Sequence, residues 1–593
     1  MKRLLMAVWF SFPLLTSVCA QSPRVPSWAK DAVWYQIFPE RFRNGDPAND
    51  PTGIDMELPA TRAWRVSPWT VDWYKLQPWE ERHNRDFYKN VFDRRYGGDL
   101  KGVIDKLDYL ADLGINAIYF NPIFDAYSLH KYDASTYHHI DKHFGPDPRR
   151  DKKLAEDETN DPATWHWSSA DSLFLRLIKE AHQRGIRVII DGVFNHSGTR
   201  FWAFRDIQEN QQRSRYADWY DIRRWDDTST SVNEFQWKGW WDNADLPEFK
   251  EDSLGFILPV RQYFFNITKR WMDPNADGDP SDGIDGWRLD VANDVSDVFW
   301  KEWRIVVKSI NPQAYIVGEI WDDARKWLQG DQFDAVMNYR FARACVKFFV
   351  NTGNGRLTAK EFDKELSDIR KDYSAETNDV LQNLLDSHDT DRLPSMIQNP
   401  NRDYDRNNGL RGNADYNIQM PAPDARKIQR LMVLFQMTYI GAPMLYYGDE
   451  SGMWGADDPD DRKPMVWPDL SYDNEQTHPF PGRTRSNDRI AFDGDLMGYY
   501  RSLVHIRIGH EALRRGSFTT LLADDALAMY AFQRRTPLQS IVVIINNSEA
   551  RQEATLAAEG TFRDAVSQTQ HKSVGGTLKV SLEGKSGLIL VKQ

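Results

Sequence analysis

Short apolar runs recur along the chain, and most are followed by a stretch with helical spacing. The runs are Val33–Phe38, Ala117–Phe120, Val188–Val193, Gly286–Val291, Ala314–Glu319, Ala335–Tyr339, Leu381–Asp386 and Met444–Tyr447. They are nearly continuous rather than alternating, which is the pattern of strands buried on both faces of a parallel sheet. In Lys101–Leu113, Val103, Leu107 and Leu110 fall on one helical face. Leu173–Gln183, Val260–Met272, Val295–Ile310, Phe341–Val350, Ala425–Met437 and Leu496–Ile508 continue that pattern. The alternation predicts an α/β fold, a (β/α)8 TIM barrel over residues 28–511. Two stretches interrupt it. Residues 121–169 separate the second strand from its helix, and residues 197–258 separate the third. The second interruption holds Trp202, Trp219, Trp225, Trp237, Trp240 and Trp241, a composition that predicts a folded subdomain over the barrel rather than a bare loop. After Gly516 the period shortens to two. Ser540–Ile545 and Gly587–Lys592, set among Gly and Asn turns, predict a C-terminal antiparallel β-sandwich over 516–593.

Composition narrows the chemistry. The formal charge of the 593-residue chain is −12, which argues against nucleic acid or an anionic membrane as partner. Residues 1–20 read as an export signal: Lys2 and Arg3, an apolar Leu4–Leu15, then Val18-Cys19-Ala20 before the cut. A lipoprotein reading at Cys19 lacks the leucine expected three positions earlier. The expected address is periplasmic or extracellular. Cleavage leaves Cys345 alone, so no internal disulfide is expected. Trp64, Trp69, Trp73, Trp79, Trp237, Trp240 and Trp241 lie in polar stretches. Indole faces there suit the apolar faces of sugar rings; the competing reading is that they fill core.

Charged residues gather where the predicted strands end. GWRLDVAND places Arg288 and Asp290 two apart, on one side of a strand. YIVGEIWDDA ends its apolar run at Glu319, next to Trp321. DGVFNH supplies Asp191, Asn195 and His196, and LLDSHDTDR supplies His388, Asp389, Asp391 and Arg392. A single Asp at a strand end says little in a chain with 87 acidic residues. Several strand ends converging on carboxylates, two histidines and an arginine say more, because packing alone does not turn so many charges inward. In a barrel of this kind the C-terminal strand ends are the catalytic face. Two acids there are what glycosidic cleavage needs.

These four segments resemble the signature regions of the α-amylase family of retaining glycoside hydrolases, and GWRLDVAND most resembles the neopullulanase, cyclomaltodextrinase and maltogenic amylase branch. The resemblance spans roughly residues 28–590. It implies that Asp290 is the nucleophile, Glu319 the general acid and base, and Asp389 the stabiliser of the transition state. It implies that Arg288 holds Asp290, that His196 and His388 bind hydroxyls of the sugar being cleaved, and that Tyr132, in SLHKYDAS with His130, stacks on that sugar. Asp458 and Arg462 match residues that bind the next sugar, and Asn293 and Asp294 border the leaving-group side. The branch usually has Glu at the position of Asp294. RNGDPANDP and YGGDL resemble the branch's calcium site, through Asn44, Asp46, Asn49, Asp50, Gly97 and Asp99. Hard oxygen donors in that number suit structural Ca²⁺. Asp273, Asn275 and Asp277 before Gly278 resemble the start of an EF-hand loop without its closing Glu.

The implied activity is hydrolysis of α-1,4 bonds in starch-derived chains or cyclodextrins. A transglycosylase carries the same residues, and a non-catalytic sugar-binding barrel would have lost some of them. The branch usually has an N-terminal β-domain that helps build a dimer. Here the barrel begins within ten residues of the cleavage site, so the expectation is a monomer. DLPEFKED, Asp245–Asp252, differs from the branch's signature there, so substrate preference does not carry over.

Overall fold

A computed structural model describes residues 25–59 and 62–593. The export-signal reading of residues 1–20, Cys19 included, lies outside the described residues.

Eight parallel strands form the centre: β1 (Trp34–Ile37), β2 (Ala117–Phe120), β3 (Arg187–Gly192), β4 (Gly286–Leu289), β5 (Tyr315–Gly318), β6 (Ala335–Val336), β7 (Gln382–Asn383) and β8 (Ala442–Tyr446). They lie in the order β6-β5-β4-β3-β2-β1-β8-β7. A parallel bridge between Met337 and Gln382 joins the two ends, and the Asn338 amide donates to the Gln382 carbonyl at 2.8 Å. The sheet is therefore closed into a barrel and has no free edge. Every residue of β1, β2, β4, β5 and β8 is buried, which accounts for their continuous hydrophobic runs.

Two strands are shorter than the sequence predicts, with only two residues each in β6 and β7. Side-chain amides take over the pairing there. Asn338 Nδ2 donates to Asn383 Oδ1 at 2.8 Å, and Asn383 Nδ2 donates to the Ile440 carbonyl at 2.7 Å. Asn338 also caps the helix that follows.

Around the barrel run α1 (Leu100–Asp105), α2 (Leu107–Leu113), α3 (Ser169–Gln183), α4 (Trp202–Asn210), α5 (Leu258–Met272), α6 (Asp297–Ile310), α7 (Tyr339–Cys345), α8 (Ala359–Asp372), α9 (Pro423–Thr438) and α10 (Gly494–Gly509). The predicted helix Phe341–Val350 is α7 continued by a π-helical turn at Val346–Val350. Helix α8 was not predicted. It opens with a capping box, Thr358 with Glu361, and buries Phe362, Leu366 and Ile369.

The stretch between β3 and α5 folds around α4. Trp202 and Trp219 pack on Phe201 and on Tyr263 of α5. Bridge His196–Glu248 fastens its return segment to the chain just after β3, and bridge Tyr220–Phe249 ties it back on itself. Three of the loop tryptophans considered as sugar contacts are instead core. Trp64, Trp73 and Trp79 are 2–3% exposed and fill two small clusters, Trp64 and Trp79 with Met56, and Trp73 with Phe87, Tyr96, Leu410 and Tyr416. A polar neighbourhood in sequence did not mean exposure, because the surrounding loops fold back over them.

After α10 come β9 (Ser517–Asp524), β10 (Met529–Arg535), β11 (Ser540–Asn546), β12 (Gln552–Ala557), β13 (Thr561–Asp564), β14 (Gln570–Lys572), β15 (Thr577–Leu582) and β16 (Ser586–Lys592). Six of them form one sheet, and β12 pairs with β15 in a second. Val542 and Ile544 face the second sheet, while Ile541, Val543 and Ile545 face the barrel's core. Strand β11 is thus covered on both sides. Among the described residues no helix is long and apolar enough to cross a membrane.

Candidate active site

The barrel brings the strand-end residues together around one guanidinium. Arg288, on β4, is fully buried. Its Nη1 donates to Asp290 Oδ1 at 2.8 Å and to Asp191 Oδ1 and Oδ2 at 3.0 Å each. Its Nη2 lies 3.0 Å from Glu319 Oε2, an ion-pair contact without hydrogen-bond alignment. The register makes this possible. Asp191 pairs with Arg288 across β3 and β4, and Leu289 pairs with Gly318 across β4 and β5, so Asp290 and Glu319 each stand one residue beyond a strand end.

Glu319 is held at both oxygens. Trp321 Nε1 donates to Oε1 at 3.0 Å, and the Val291 amide donates to Oε2 at 2.9 Å. Val291 has φ of +38°, a strained value for a β-branched residue. That turn directs its N–H at Glu319. Trp321 in turn stacks on Tyr339, with centroids 3.7 Å apart and planes within 6°.

A chain of hydrogen bonds with a definite direction runs into Asp191 from the other side. Gln36 Nε2 donates to His388 Nδ1 at 2.9 Å. The His388 proton is therefore on Nε2, which donates to the Tyr132 hydroxyl at 2.6 Å. Tyr132 donates to Asp191 Oδ2 at 3.0 Å, where Tyr119 also donates at 2.7 Å. Burial, with the Arg462 and Arg288 cations, pushes the His388 pKa well below 6.5 and keeps the ring neutral, as this relay requires.

Three buried carboxylates thus share one cation. Burial pushes the Asp290 carboxyl well up; Arg288 opposes it, and Glu319 and Asp191 add to it. Asp389, on the loop after β7, is lifted to about 7 by burial and by Glu319, with Arg462 opposing. Its Oδ1 lies 3.2 Å from His388 Nε2 and 3.5 Å from Arg462 Nη2. Arg462 also donates from Nε to the His388 carbonyl at 2.8 Å and sits 3.4 Å from Asp458.

The remaining candidates line the rim. His130 packs on Tyr132 with centroids 5.7 Å apart, and its Nδ1 accepts from the Tyr132 amide at 3.2 Å. Burial, assisted by Arg462, lowers it to about 3. His196 is lowered to about 3, first by burial, and its buried Nε2 has no hydrogen-bond partner among the described residues. Its ring stacks on Trp240 at 5.4 Å. Trp240 Nε1 donates to Asp294 Oδ2 at 2.9 Å, and Asn293 donates to Asp294 Oδ1 at 2.7 Å. Trp241, 84% exposed, continues outward from Trp240.

Sequence reasoning missed Gln36, Tyr119 and Tyr339. Gln36 was detectable as a lone polar residue inside the apolar run WYQI. The two tyrosines give no such signal.

The predicted calcium ligands converge from the 44–50 turn and the start of α1. Asn44 Nδ2 donates to Asp50 Oδ1 at 2.8 Å. Asp99 caps α1 through Gly102 and accepts from Asp46 N and Asn49 Nδ2. Asn44 Oδ1 and Asn49 Oδ1 are buried without hydrogen-bond partners among the described residues. Gly97, at φ +77°, has room for no side chain, since a Cβ would come within 2.0 Å of Asp50 Oδ1. Burial, reinforced by Asp99, Glu40 and Asp46, lifts Asp50 to about 6. Asp273, Asn275 and Asp277 occupy a turn bonded within itself, Asp273 Oδ2 accepting from Gly278 N and Asn275 Oδ1 from Asp277 N.

A closed (β/α)8 barrel with paired acids at its strand ends, inside a collar of aromatic and polar side chains, is the build of a glycosidase. Residues 36–157 and 167–516 match the family model described as alpha amylase, catalytic domain, and the chain belongs to that family. It is 38% identical over 569 residues to neopullulanase 2 of Thermoactinomyces vulgaris, covering 95% of this chain and 78% of the relative. Among solved structures it is similar to a cyclomaltodextrinase, with TM-score 0.70 and 33% identity over 96% of this chain and 79% of that one. It is also similar to the cyclic α-maltosyl-(1→6)-maltose hydrolase of Arthrobacter globiformis, with TM-score 0.69 and 28% identity over 96% of this chain and 100% of that one.

Proposed function

We propose that the chain hydrolyses α-1,4-glucosidic bonds of starch-derived maltooligosaccharides and cyclodextrins with retention, using Asp290 as nucleophile and Glu319 as acid and base. The observation that carries this reading is the single Arg288 guanidinium contacting both acids. Acids on one fork from neighbouring strands fit the close spacing of retention, about 5 Å, better than the wider gap of inversion. Arg288 pins Asp290 Oδ1, and no hydrogen bond among the described residues engages Oδ2, which leaves that oxygen for attack. Its bond to the anomeric carbon forms as the bond to the leaving oxygen breaks, and Glu319 protonates that oxygen. Glu319 then takes a proton from water, whose oxygen displaces Asp290. Asp389, steadied by Arg462, and neutral His196 and His388 bind hydroxyls of the same sugar. Tyr132 packs against its face. Asp458 with Arg462 serves the next sugar, and Asn293 with Asp294 the leaving side.

Calcium at the Asn44–Asp99 turn goes with this reading. Two orphaned amide oxygens and a glycine that leaves a cradle suit a hard cation, which would tie the loop after β1 to α1 and take no part in bond cleavage. An exported address, periplasmic or extracellular, also goes with it.

The test is the anomer first released from maltotetraose, read by proton NMR, with Asp290→Asn and Glu319→Gln beside wild type. The expected outcome is the α-anomer and a fall in kcat of at least about 10³-fold for each variant. A β-anomer, or near-normal turnover in either variant, overturns the assignment.

A further inference from the structure

We infer that the protein carries a second metal site of zinc type, built by His138, His139 and Glu158 in the excursion between β2 and α3. One ligand atom of each lies within 4.8 Å of the others. The three residues are 1%, 4% and 9% exposed. His138 Nε2 is 2.9 Å from Glu158 Oε2, and His139 Nε2 contacts the same oxygen. A tetrahedral ion bound at about 2.0–2.2 Å sets its ligands roughly 3.3 Å apart, so small ring rotations open the seat.

The far sides of these groups are fixed in the manner of metal ligands. His139 Nδ1 faces Asp171 Oδ2 at 2.7 Å. His138 Nδ1 faces the Tyr263 hydroxyl at 2.9 Å and Thr136 Oγ1 at 3.0 Å. The other Glu158 oxygen accepts from the His166 amide at 2.7 Å. A carboxylate or hydroxyl behind each imidazole sets the tautomer that leaves Nε2 free to bind. Two imidazoles and a carboxylate select zinc and its transition-series neighbours over calcium. A cavity of about 900 Å³, lined by His139 and Glu158, runs out to exposed Ile54 and Glu57. It supplies an entry path and space for a water as fourth ligand. The ion would clamp Glu158 to the 138–139 segment. Tyr137, beside it, donates its hydroxyl to the His196 carbonyl, so the clamp would steady a wall of the sugar cleft without touching sugar. This site shares no ligand with the calcium turn.

The probe is zinc itself. The full chain is purified without chelator and its metal measured by mass spectrometry. One zinc per chain is expected in wild type, with loss of most of it in Glu158→Gln. Because that variant could misfold, metal-stripped wild type is tested in parallel. With Ca²⁺ held at saturation, one equivalent of Zn²⁺ should raise its Tm further, and Co²⁺ should give the visible bands of a four-coordinate nitrogen–oxygen site, while more Ca²⁺ does neither. The inference is overturned by a melt indifferent to zinc, by a cobalt form without those bands, or by a folded Glu158→Gln that keeps its zinc.

Discussion

Replacing Arg288 tests the electrostatic arrangement most directly. Nη1 makes three contacts at 2.8–3.0 Å, to Asp290 and both oxygens of Asp191, while Nη2 lies 3.0 Å from Glu319. Lysine keeps the charge but offers a compact ammonium in place of a planar fork, so Arg288→Lys can serve Asp191 or Asp290 but not the whole set. A charge-assisted hydrogen bond is worth about 1.5–3 kcal/mol. Losing one from the nucleophile's support, at about 1.4 kcal/mol per tenfold, lowers kcat by roughly 10–100-fold. Arg288→Met goes further. It strands three buried carboxylates, and breaking a buried ion pair costs about 3–5 kcal/mol. The expected result is a fall in unfolding free energy of that order at pH 7, read by urea denaturation. The pH profile should move as well. Burial raises Asp290, and Arg288 is the chief influence holding it down. Without the guanidinium, Asp290 keeps its proton to still higher pH. A protonated nucleophile does not attack, so the acid limb of kcat/KM on maltotetraose moves to higher pH in Arg288→Met. Wild-type rates and limbs in Arg288→Met, or full activity in Arg288→Lys, would refute the reasoning.

Two further outcomes follow from the same structure. With Zn²⁺ held at saturation, removing calcium should lower Tm, and adding Ca²⁺ should restore it where more Zn²⁺ does not; a calcium-free sample with an unchanged melt counts against the Asn44–Asp99 site. His196 should make the fold acid-sensitive. Its pKa falls from 6.5 to about 3 in the folded chain, so below pH 6.5 the unfolded state takes up a proton that the folded state refuses. Stability from this group is therefore full above 6.5 and is lost as pH falls toward 3. The loss from pH 7 to 5 is about 2 kcal/mol, at about 1.4 kcal/mol per pH unit. His196→Asn should shed that share of the pH dependence in urea titrations at the two pH values, and an unchanged slope would contradict the buried neutral ring.

How much of this was legible in the chain depended on whether a residue's role was fixed by its position on a strand or by what folds over it later. Arg288, Asp290 and Glu319 were readable because a barrel strand alternates its sides and ends at a catalytic face, so spacing alone places their side chains. Gln36 obeyed the same rule and was overlooked only because one polar residue in WYQI looks like a tolerated exception; burial beside His388 shows why it is there. Strands β6 and β7 were overestimated because Asn338 and Asn383 supply pairing through side-chain amides, which no hydrophobic pattern records. Helix α8 was missed because the interval between β6 and β7 already held its one expected helix, Phe341–Val350, although Thr358 and Glu361 spell out a capping box. Tryptophan misled for a different reason. Trp73 and Trp241 sit in equally polar sequence, yet one is 2% and the other 84% exposed. Residue type fixes the capacity to stack, and only the path of the surrounding loop decides whether a ring or a sugar takes up that capacity. The same holds for His138, His139 and Glu158. Glu158 is about twenty positions from the adjacent histidines, inside an interruption of the barrel pattern, and only the fold of that excursion brings three ligand atoms together.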